Sequence, residues 1–204
     1  MIEQKDYCGQ SLVVPPTDFD PKSRDWNSID YLKDLRRSDI NLSDEFLDKK
    51  RDFFLHAAYT EFDAENLCRF LETLDFEFSP EFKVFEKKWR RDEWNHYIGF
   101  RYIYSIIFNE SETAIARIIE SRPYDFSGIQ NFFKDEFSIC LLIAYDEILT
   151  TKSYASEHQL YKSFGNPQFY SWIKEVTRDE SYHFNNVMEV IGLNHSDRIE
   201  EIWQ

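Results

Sequence analysis

Two nearly identical segments, RDEWNH and RDESYH, carry the residues of this chain that are best suited to chemistry. They contain Glu93-x-x-His96 and Glu180-x-x-His183. Residues three apart lie on the same face of a helix, so each glutamate can reach the same ion as its histidine. A carboxylate and an imidazole on one helical turn form a ligand pair for a transition-metal ion. The repetition of this pair predicts a site with two related halves.

Two further glutamates precede these pairs at matching distances. Glu93 follows Glu61 by 32 residues, and Glu180 follows Glu147 by 33. The helical neighbours of Glu61 and Glu147 are mostly apolar or small. Across the four glutamate-bearing faces, the only Lys or Arg is Arg90, at the edge of the face that carries Glu93. Buried carboxylates cost several kcal/mol each unless cations compensate them. The spacing therefore predicts two helical hairpins around a di-iron or di-manganese site. The predicted ligands are Glu61, Glu93, His96, Glu147, Glu180 and His183.

The aspartates next to the ligand glutamates are expected to support the histidines. A ligand histidine directs its second ring nitrogen away from the metal, where a carboxylate can fix the orientation of the ring. In a pseudo-twofold arrangement we expect Asp179 to contact His96 and Asp92 to contact His183. The alternative for either aspartate is an exposed acid at the margin of its helix.

Long helices are the elements that must position these residues. Only 5 Gly and 6 Pro occur in 204 residues, which favours helices over turn-rich β structure. Capping residues and breaks predict helices at about 43–74, 79–109, 111–121, 129–159 and 167–191. We expect one domain, in which residues 1–42 form an arm that packs on a bundle of residues 43–204. The predicted class is all-α, a four-helix bundle with a long connection between its second and third long helices and short accessory helices.

The composition restricts the classes of function. A formal net charge of −14 disfavours nucleic acid, because its phosphates require a basic surface. No apolar run approaches the roughly 18 residues of a membrane helix, and the first residues show no basic-then-apolar signal pattern. Cys8, Cys68 and Cys140 have no C-x-x-C spacing and are expected to be reduced thiols. We therefore expect a cytoplasmic protein with neither nucleic-acid nor membrane partners.

The ligand segments resemble those of the soluble acyl carrier protein desaturases, which belong to the ferritin-like di-iron carboxylate superfamily. The resemblance covers roughly residues 26–190. WRRDEWNHYIGFRYIY, which begins at Trp89, is similar to the family's tryptophan-x-x-acid-Glu-x-x-His segment. YDEILT places Thr150 one turn after Glu147, as in the family's Glu-x-x-Thr segment, and RDESYH resembles its Asp-Glu-x-x-His segment. TEFDAENLCRFLETLD, which contains Glu61, and the N-terminal DWNSIDYL also resemble family segments.

This resemblance implies a ferritin-like bundle that holds two iron ions, with manganese as an alternative, and uses O2 as co-substrate. The implied activity is that of a di-iron oxidoreductase of fatty acid metabolism, which removes hydrogen from a fatty-acyl or carrier-bound substrate. Thr150 is implied as a proton-delivering hydroxyl, and Trp89 and Trp26, with Asp179, as an electron path. The implied partners are a ferredoxin-type electron donor, an acyl carrier protein or carrier-bound substrate, and a second copy in a homodimer.

Four aromatic residues are expected to line a substrate pocket beside the metals: Phe54, Tyr97, Phe100 and Phe184. Plain core packing is the alternative for such an aromatic stripe. The chain departs from the desaturases at Tyr154, where those enzymes tend to have a histidine. Within this class, hydroxylation, N-oxygenation and aldehyde deformylation stay open as alternative reactions, because one oxidant serves all of them. Peroxide scavenging or iron handling by a rubrerythrin- or ferritin-type bundle stays open as well. A metal-free helical interaction protein would leave four buried carboxylates unexplained.

Overall fold

The computed structural model describes residues 4–5, 11–12 and 17–203. Two short strands pair antiparallel near the N-terminus, β1 (Gln4–Lys5) and β2 (Ser11–Leu12). The α-helices are α1 (Ser28–Leu32), α2 (Asp44–Asp48), α3 (Arg51–Leu71), α4 (Pro80–Phe108), α5 (Glu112–Glu120), α6 (Glu136–Ser163) and α7 (Pro167–Asn194). The described residues also include 3₁₀ segments at Arg37–Asp39, Ser127–Phe132 and Ser196–Trp203. Apart from the two-residue strands, the described residues are helical or irregular, which confirms the predicted all-α class.

Four long helices form the body of the protein. Helix α3 packs along α4, α6 packs along α7, and the two pairs meet where α4 contacts α7. Residues 72–79 join α3 to α4, and residues 164–166 join α6 to α7. The connection between α4 and α6 is long, as predicted, and includes α5 and a 3₁₀ segment. Each helical pair is therefore a hairpin that contains one of the predicted Glu-x-x-His motifs.

Capping residues account for the ends of the helices that carry these motifs. The Ser79 side chain accepts a hydrogen bond from the backbone N–H of Phe82 at the start of α4, and Asn166 caps α7 in the same way. A proline follows each cap, at the first helical position, where its missing N–H costs nothing. Asn109 caps the C-terminal end of α4 with a φ of 53°, a left-handed conformation that asparagine tolerates.

Two predicted helix boundaries are wrong. The segment predicted at about 43–74 is two helices, because Lys50 adopts a non-helical conformation between α2 and α3, and Ser43 caps only the short α2. The helix predicted from about residue 129 begins at Glu136. The side chain of Asp135 accepts a hydrogen bond from the Ser138 N–H there, and the residues before it form a 3₁₀ segment.

The apolar core consists of two clusters separated by a polar layer. Along α4, buried apolar residues of one cluster occupy positions between Phe82 and Trp89, and those of the other lie between Tyr97 and Ile107. Along α7, the order is reversed, since positions 169–176 belong to the second cluster and positions 187–191 to the first. The polar residues between the clusters are buried too. They therefore form a layer that crosses the middle of the protein.

Residues preceding the long helices pack against α4 and α7. The backbone N–H and the hydroxyl of Ser28 donate to the side-chain and backbone oxygens of Asn95, at 2.8 and 2.7 Å. The Trp172 indole in turn donates to the Ser28 hydroxyl, at 2.9 Å. Gly99 permits this approach, since a Cβ there would overlap the Trp172 ring. These contacts hold α1 and the adjacent Trp26 beside the polar layer.

No helix among the described residues is both long enough and apolar enough to cross a membrane. Cys68 and Cys140 are buried and unpaired, as predicted. Cys8 lies outside the described residues.

Candidate metal centre

All six predicted ligand residues meet in the polar layer, and none is more than 6% exposed. Their potential ligand atoms form two groups, within each of which all atoms lie within 4.8 Å of one another. The first group is Glu61, Glu93, His96 and Glu180. The second group is Glu93, Glu147, Glu180 and His183. Glu93 and Glu180 belong to both groups, so the two groups form one continuous cluster.

Each histidine directs its Nδ1 atom at the carboxylates. His96 Nδ1 lies 3.2 Å from Glu61 Oε2. His183 Nδ1 lies 2.9 Å from Glu93 Oε1 and 3.3 Å from Glu147 Oε2. The two imidazole rings are 5.9 Å apart between centroids. Nδ1 is therefore the ring atom that each histidine can offer to a metal ion.

The two aspartates contact the opposite nitrogen of each histidine, in the crossed arrangement that the sequence predicted. His96 Nε2 lies 3.3 Å from Asp179 Oδ2, and His183 Nε2 lies 3.5 Å from Asp92 Oδ2. Asp179 is 1% exposed and Asp92 is 6% exposed, so neither is a solvated acid at a helix margin. Carboxylates in this position favour a proton on Nε2 and leave the lone pair of Nδ1 for a metal.

Two aromatic donors hold the glutamates that belong to only one group. Trp89 Nε1 donates to Glu147 Oε1 at 2.6 Å, and the hydroxyl of Tyr154 donates to Glu61 Oε1. Tyr154 is not among the site residues that the sequence predicted. The pattern that could have found it is its position two turns after Glu147 on the same face of α6. Each donor satisfies one carboxylate oxygen and leaves the other oxygen directed at the cluster.

Trp26 extends the site towards the surface. Its indole N–H donates to Asp179 Oδ2 at 2.6 Å, and its ring centroid lies 5.9 Å from that of His96. Trp26 is partly exposed, whereas Trp89 is buried and stacks on Phe85. A hydrogen-bonded chain thus runs from a partly exposed indole, through Asp179, to a histidine of the cluster.

The charges of the cluster perturb one another strongly. Burial raises the pKa of Glu93 and of Glu147 well above the ordinary range, and the negative charge of Glu180 raises both further. Burial lowers the pKa of the two histidines, but Glu180 near His96 and Glu147 near His183 outweigh burial and raise it well above 6.5. For Glu180, burial raises the pKa, but the histidine charges outweigh it and lower the pKa below its usual value. Protons therefore supply the positive charge that this cluster requires when no metal is bound.

The donor atoms fit divalent metal ions. Glu93 Oε1, Glu147 Oε2, Glu180 Oε1 and His183 Nδ1 are buried and lie close together, yet none of them makes a hydrogen bond of suitable geometry to any described residue. Orphaned polar atoms are rare in protein interiors and call for an explanation such as a bound ion. Four carboxylates and two imidazoles are hard to borderline ligands, of the kind that iron, manganese and zinc accept. Four carboxylate charges also balance two divalent ions.

A cavity of about 330 Å³ lies against the cluster, on the side where α3 faces α6. Four of the ligand glutamates, together with Trp89 and Thr150, form its inner wall. Its apolar lining residues are Ala64, Leu67, Phe126, Ile129, Leu142 and Ile143. The predicted position of Thr150 beside the cluster is thus matched by the structure, and the cavity gives small molecules a route to the ligand atoms.

None of the four predicted pocket residues lines this cavity. Phe54 packs on Phe164, with ring centroids 5.8 Å apart, and Tyr97 packs on Phe62 at 5.0 Å. The rings of Phe100 and Trp172 have centroids 4.9 Å apart. The partly buried Phe184 packs against the apolar cluster that contains Phe82 and Trp89. These residues follow the core-packing alternative. They lie in the apolar layers above and below the cluster, whereas the cavity opens at its side, between α3 and α6.

No protein-family model, curated protein or solved structure matches this chain. The fold and the site define it as an all-helical protein with a buried carboxylate–histidine cluster that can hold a metal ion.

Proposed function

We propose that this protein is a non-haem di-iron oxidoreductase built on a ferritin-like four-helix bundle. The observation that carries the proposal is the overlap of the two ligand groups through Glu93 and Glu180. Two helices contribute one glutamate each and two contribute Glu-x-x-His, which is the ligand arrangement of di-iron and di-manganese carboxylate bundles. A single metal ion in either group would leave two of the six buried ligand residues without a partner.

Bound in this cluster, two iron ions would supply O2-dependent oxidation of an unactivated C–H bond. The protein residues around it position and balance the ligands. Asp179 and Asp92 lie against the outer nitrogens of the two histidine rings. Trp89 donates a hydrogen bond to one oxygen of Glu147, and Tyr154 donates one to Glu61. The two apolar clusters keep bulk water away from both sides of the polar layer, which strengthens the electrostatic interactions within it.

The cavity supports an apolar substrate. Its outer lining is largely aliphatic and aromatic, and its inner wall consists of ligand carboxylates. A substrate chain that packs on Leu67, Phe126 and Leu142 would have its reacting carbon beside the cluster. The hydroxyl of Thr150, on the same wall, can hold or deliver a proton there.

Electrons from an external donor, such as a ferredoxin, have a hydrogen-bonded path into the site. Trp26 is partly exposed and is joined to His96 through Asp179. Trp89 is buried and bonded to Glu147, so its geometry supports an orienting role rather than the electron transfer expected from the resemblance.

Single-turnover experiments test the proposal. The iron-loaded, chemically reduced protein is mixed with O2 and with acyl, aldehyde or amine compounds of matched chain length. We expect an oxidised product in an amount close to one equivalent per di-iron site, identified by mass spectrometry. Rapid peroxide turnover without product from any compound would contradict the proposal and favour a peroxide-scavenging protein.

A further inference from the structure

The charged residues that line the cavity are all acidic. Among the described residues, the lining includes six carboxylates and no Lys, Arg or His. Four of the six are ligand glutamates, whose charge two divalent ions would balance. The fifth, Asp63, is paired with Arg122 and accepts a hydrogen bond from Asn66 Nδ2 at 2.9 Å. Only Asp146 then has a charge that no cation balances.

Asp146 has no hydrogen-bond or ion-pair partner among the described residues, although it lies next to Glu147 on α6 and lines the cavity. The residue is exposed to solvent and lines the cavity, so a ligand that enters the cavity can reach its carboxylate. Tyr145 lies beside it, also lines the cavity, and is 64% exposed. An accessible carboxylate and an aromatic ring both attract organic cations. The carboxylate of Asp146 would repel a carboxylate or a phosphate at the same place.

We propose that the cavity selects a substrate with a protonated amine on an apolar body, and that Asp146 binds the ammonium group. The apolar body would pack on Leu67, Phe126 and Leu142, and Tyr145 would contact the cation at the mouth. This inference rests on the proposed function, because the charge balance assumes two divalent ions on the ligand glutamates. It makes Asp146 a specificity-determining residue for the oxidation proposed above.

Binding of matched ligands tests this inference without turnover. Hexylamine, hexanol and hexanoate are titrated by calorimetry into the metal-loaded protein in the absence of O2. We expect hexylamine to bind about tenfold more tightly than hexanol, as one charge-assisted hydrogen bond allows, and hexanoate to bind most weakly. In Asp146→Asn the affinity for hexylamine should fall to that for hexanol, while the affinity for hexanol stays unchanged.

Glu157→Gln is the matched control. Glu157 lies on α6, does not line the cavity, and its replacement removes the same charge from the protein. It should leave the preference for hexylamine intact. Equal affinities for all three ligands, tighter binding of hexanoate, or an amine preference that survives in Asp146→Asn would overturn the inference. Metal content is measured on the same samples. Too few metals would overturn the proposed function itself, whereas full metal content without amine preference overturns only the role of Asp146.

Discussion

Hydrogen bonds from neighbouring side chains determine which atoms of the cluster remain free for a ligand. Trp89 satisfies one oxygen of Glu147, and the second oxygen, Oε2, has no hydrogen-bond partner. On the opposite side of the cluster, Tyr154 performs the same function for Glu61. Burial raises the pKa of the Tyr154 hydroxyl well above 10, so the hydroxyl keeps its proton and remains a donor. The two halves of the site thus use different aromatic residues for one purpose.

Tyr154→Phe should destabilise the protein because a buried carboxylate would lose its donor. We expect a loss of about 1–3 kcal/mol in the free energy of unfolding of the metal-free protein, measured by urea denaturation. Tyr161→Phe is the matched control, because Tyr161 is also buried, lies two turns further along α6, and its hydroxyl makes no hydrogen bond to the part of the chain that the structure describes. Equal losses in the two variants would show that the bond to Glu61 contributes nothing.

At the scale of the elements, close helix contacts hold the four ligand-bearing helices in register. Gly99 of α4 lies against Trp172 of α7, and an added Cβ would also come within 2.8 Å of Ser28 Oγ. This contact lies one turn from His96, where α4 and α7 bring their Glu-x-x-His motifs together. A shift between these helices would change the spacing of both ligand groups.

Gly99→Ala should therefore separate α4 from α7. We expect a destabilisation of about 1–3 kcal/mol from overpacking, despite the better helix propensity of alanine. Gly192→Ala on α7 provides the control, because a Cβ there would meet no described residue within 4 Å and should stabilise by up to about 1 kcal/mol. Thermal unfolding of both variants measures the difference. A Gly99→Ala protein as stable as Gly192→Ala would contradict tight packing at this crossing.

The helical periodicity of the sequence was sufficient to predict which residues meet in the cluster. Glu61, Glu147 and the two Glu-x-x-His motifs stand out because each interrupts an apolar face. The position of the cavity could not be predicted in this way, because it depends on the gap between α3 and α6 rather than on one helical face. The break at Lys50 could not be predicted either, because the residues around it are good helix formers and give no local signal of an interruption. The bond from Tyr154 depends on the relative rotation of two helices, which spacing alone does not fix.

At the scale of the whole molecule, the metal-free protein must fold with a compact cluster of acids inside a chain of net charge −14. The pKa is raised in the folded state for Glu93, Glu147, His96 and His183. The folded protein therefore binds more protons than the unfolded chain at pH values between the unfolded pKa values, about 4.3 for Glu and about 6.5 for His, and the raised folded ones. Glu180 has the opposite shift, which acts only at more acidic pH.

The free energy of unfolding of the metal-free protein should consequently fall as the pH rises from about 5 to about 8. The sign follows because a folded state that binds extra protons loses stability when protons become scarce. Bound metal ions replace these protons, so the metal-loaded protein should depend less on pH across the same window. Urea denaturation at several pH values, with and without metal, measures both dependences. A metal-free protein that becomes more stable over this range would contradict the assigned charges.

Metal content is the measurement that tests the central claim most directly. The protein is loaded with Fe(II) without O2, desalted and analysed by mass spectrometry of the elements. We predict two iron ions per chain, and about one in Glu147→Ala, since Glu147 belongs to only one of the two ligand groups. Glu136→Gln alters a buried glutamate of the same helix outside the cluster and should retain two. Far fewer than two ions in the unaltered protein, or an unchanged content in Glu147→Ala, would contradict the account.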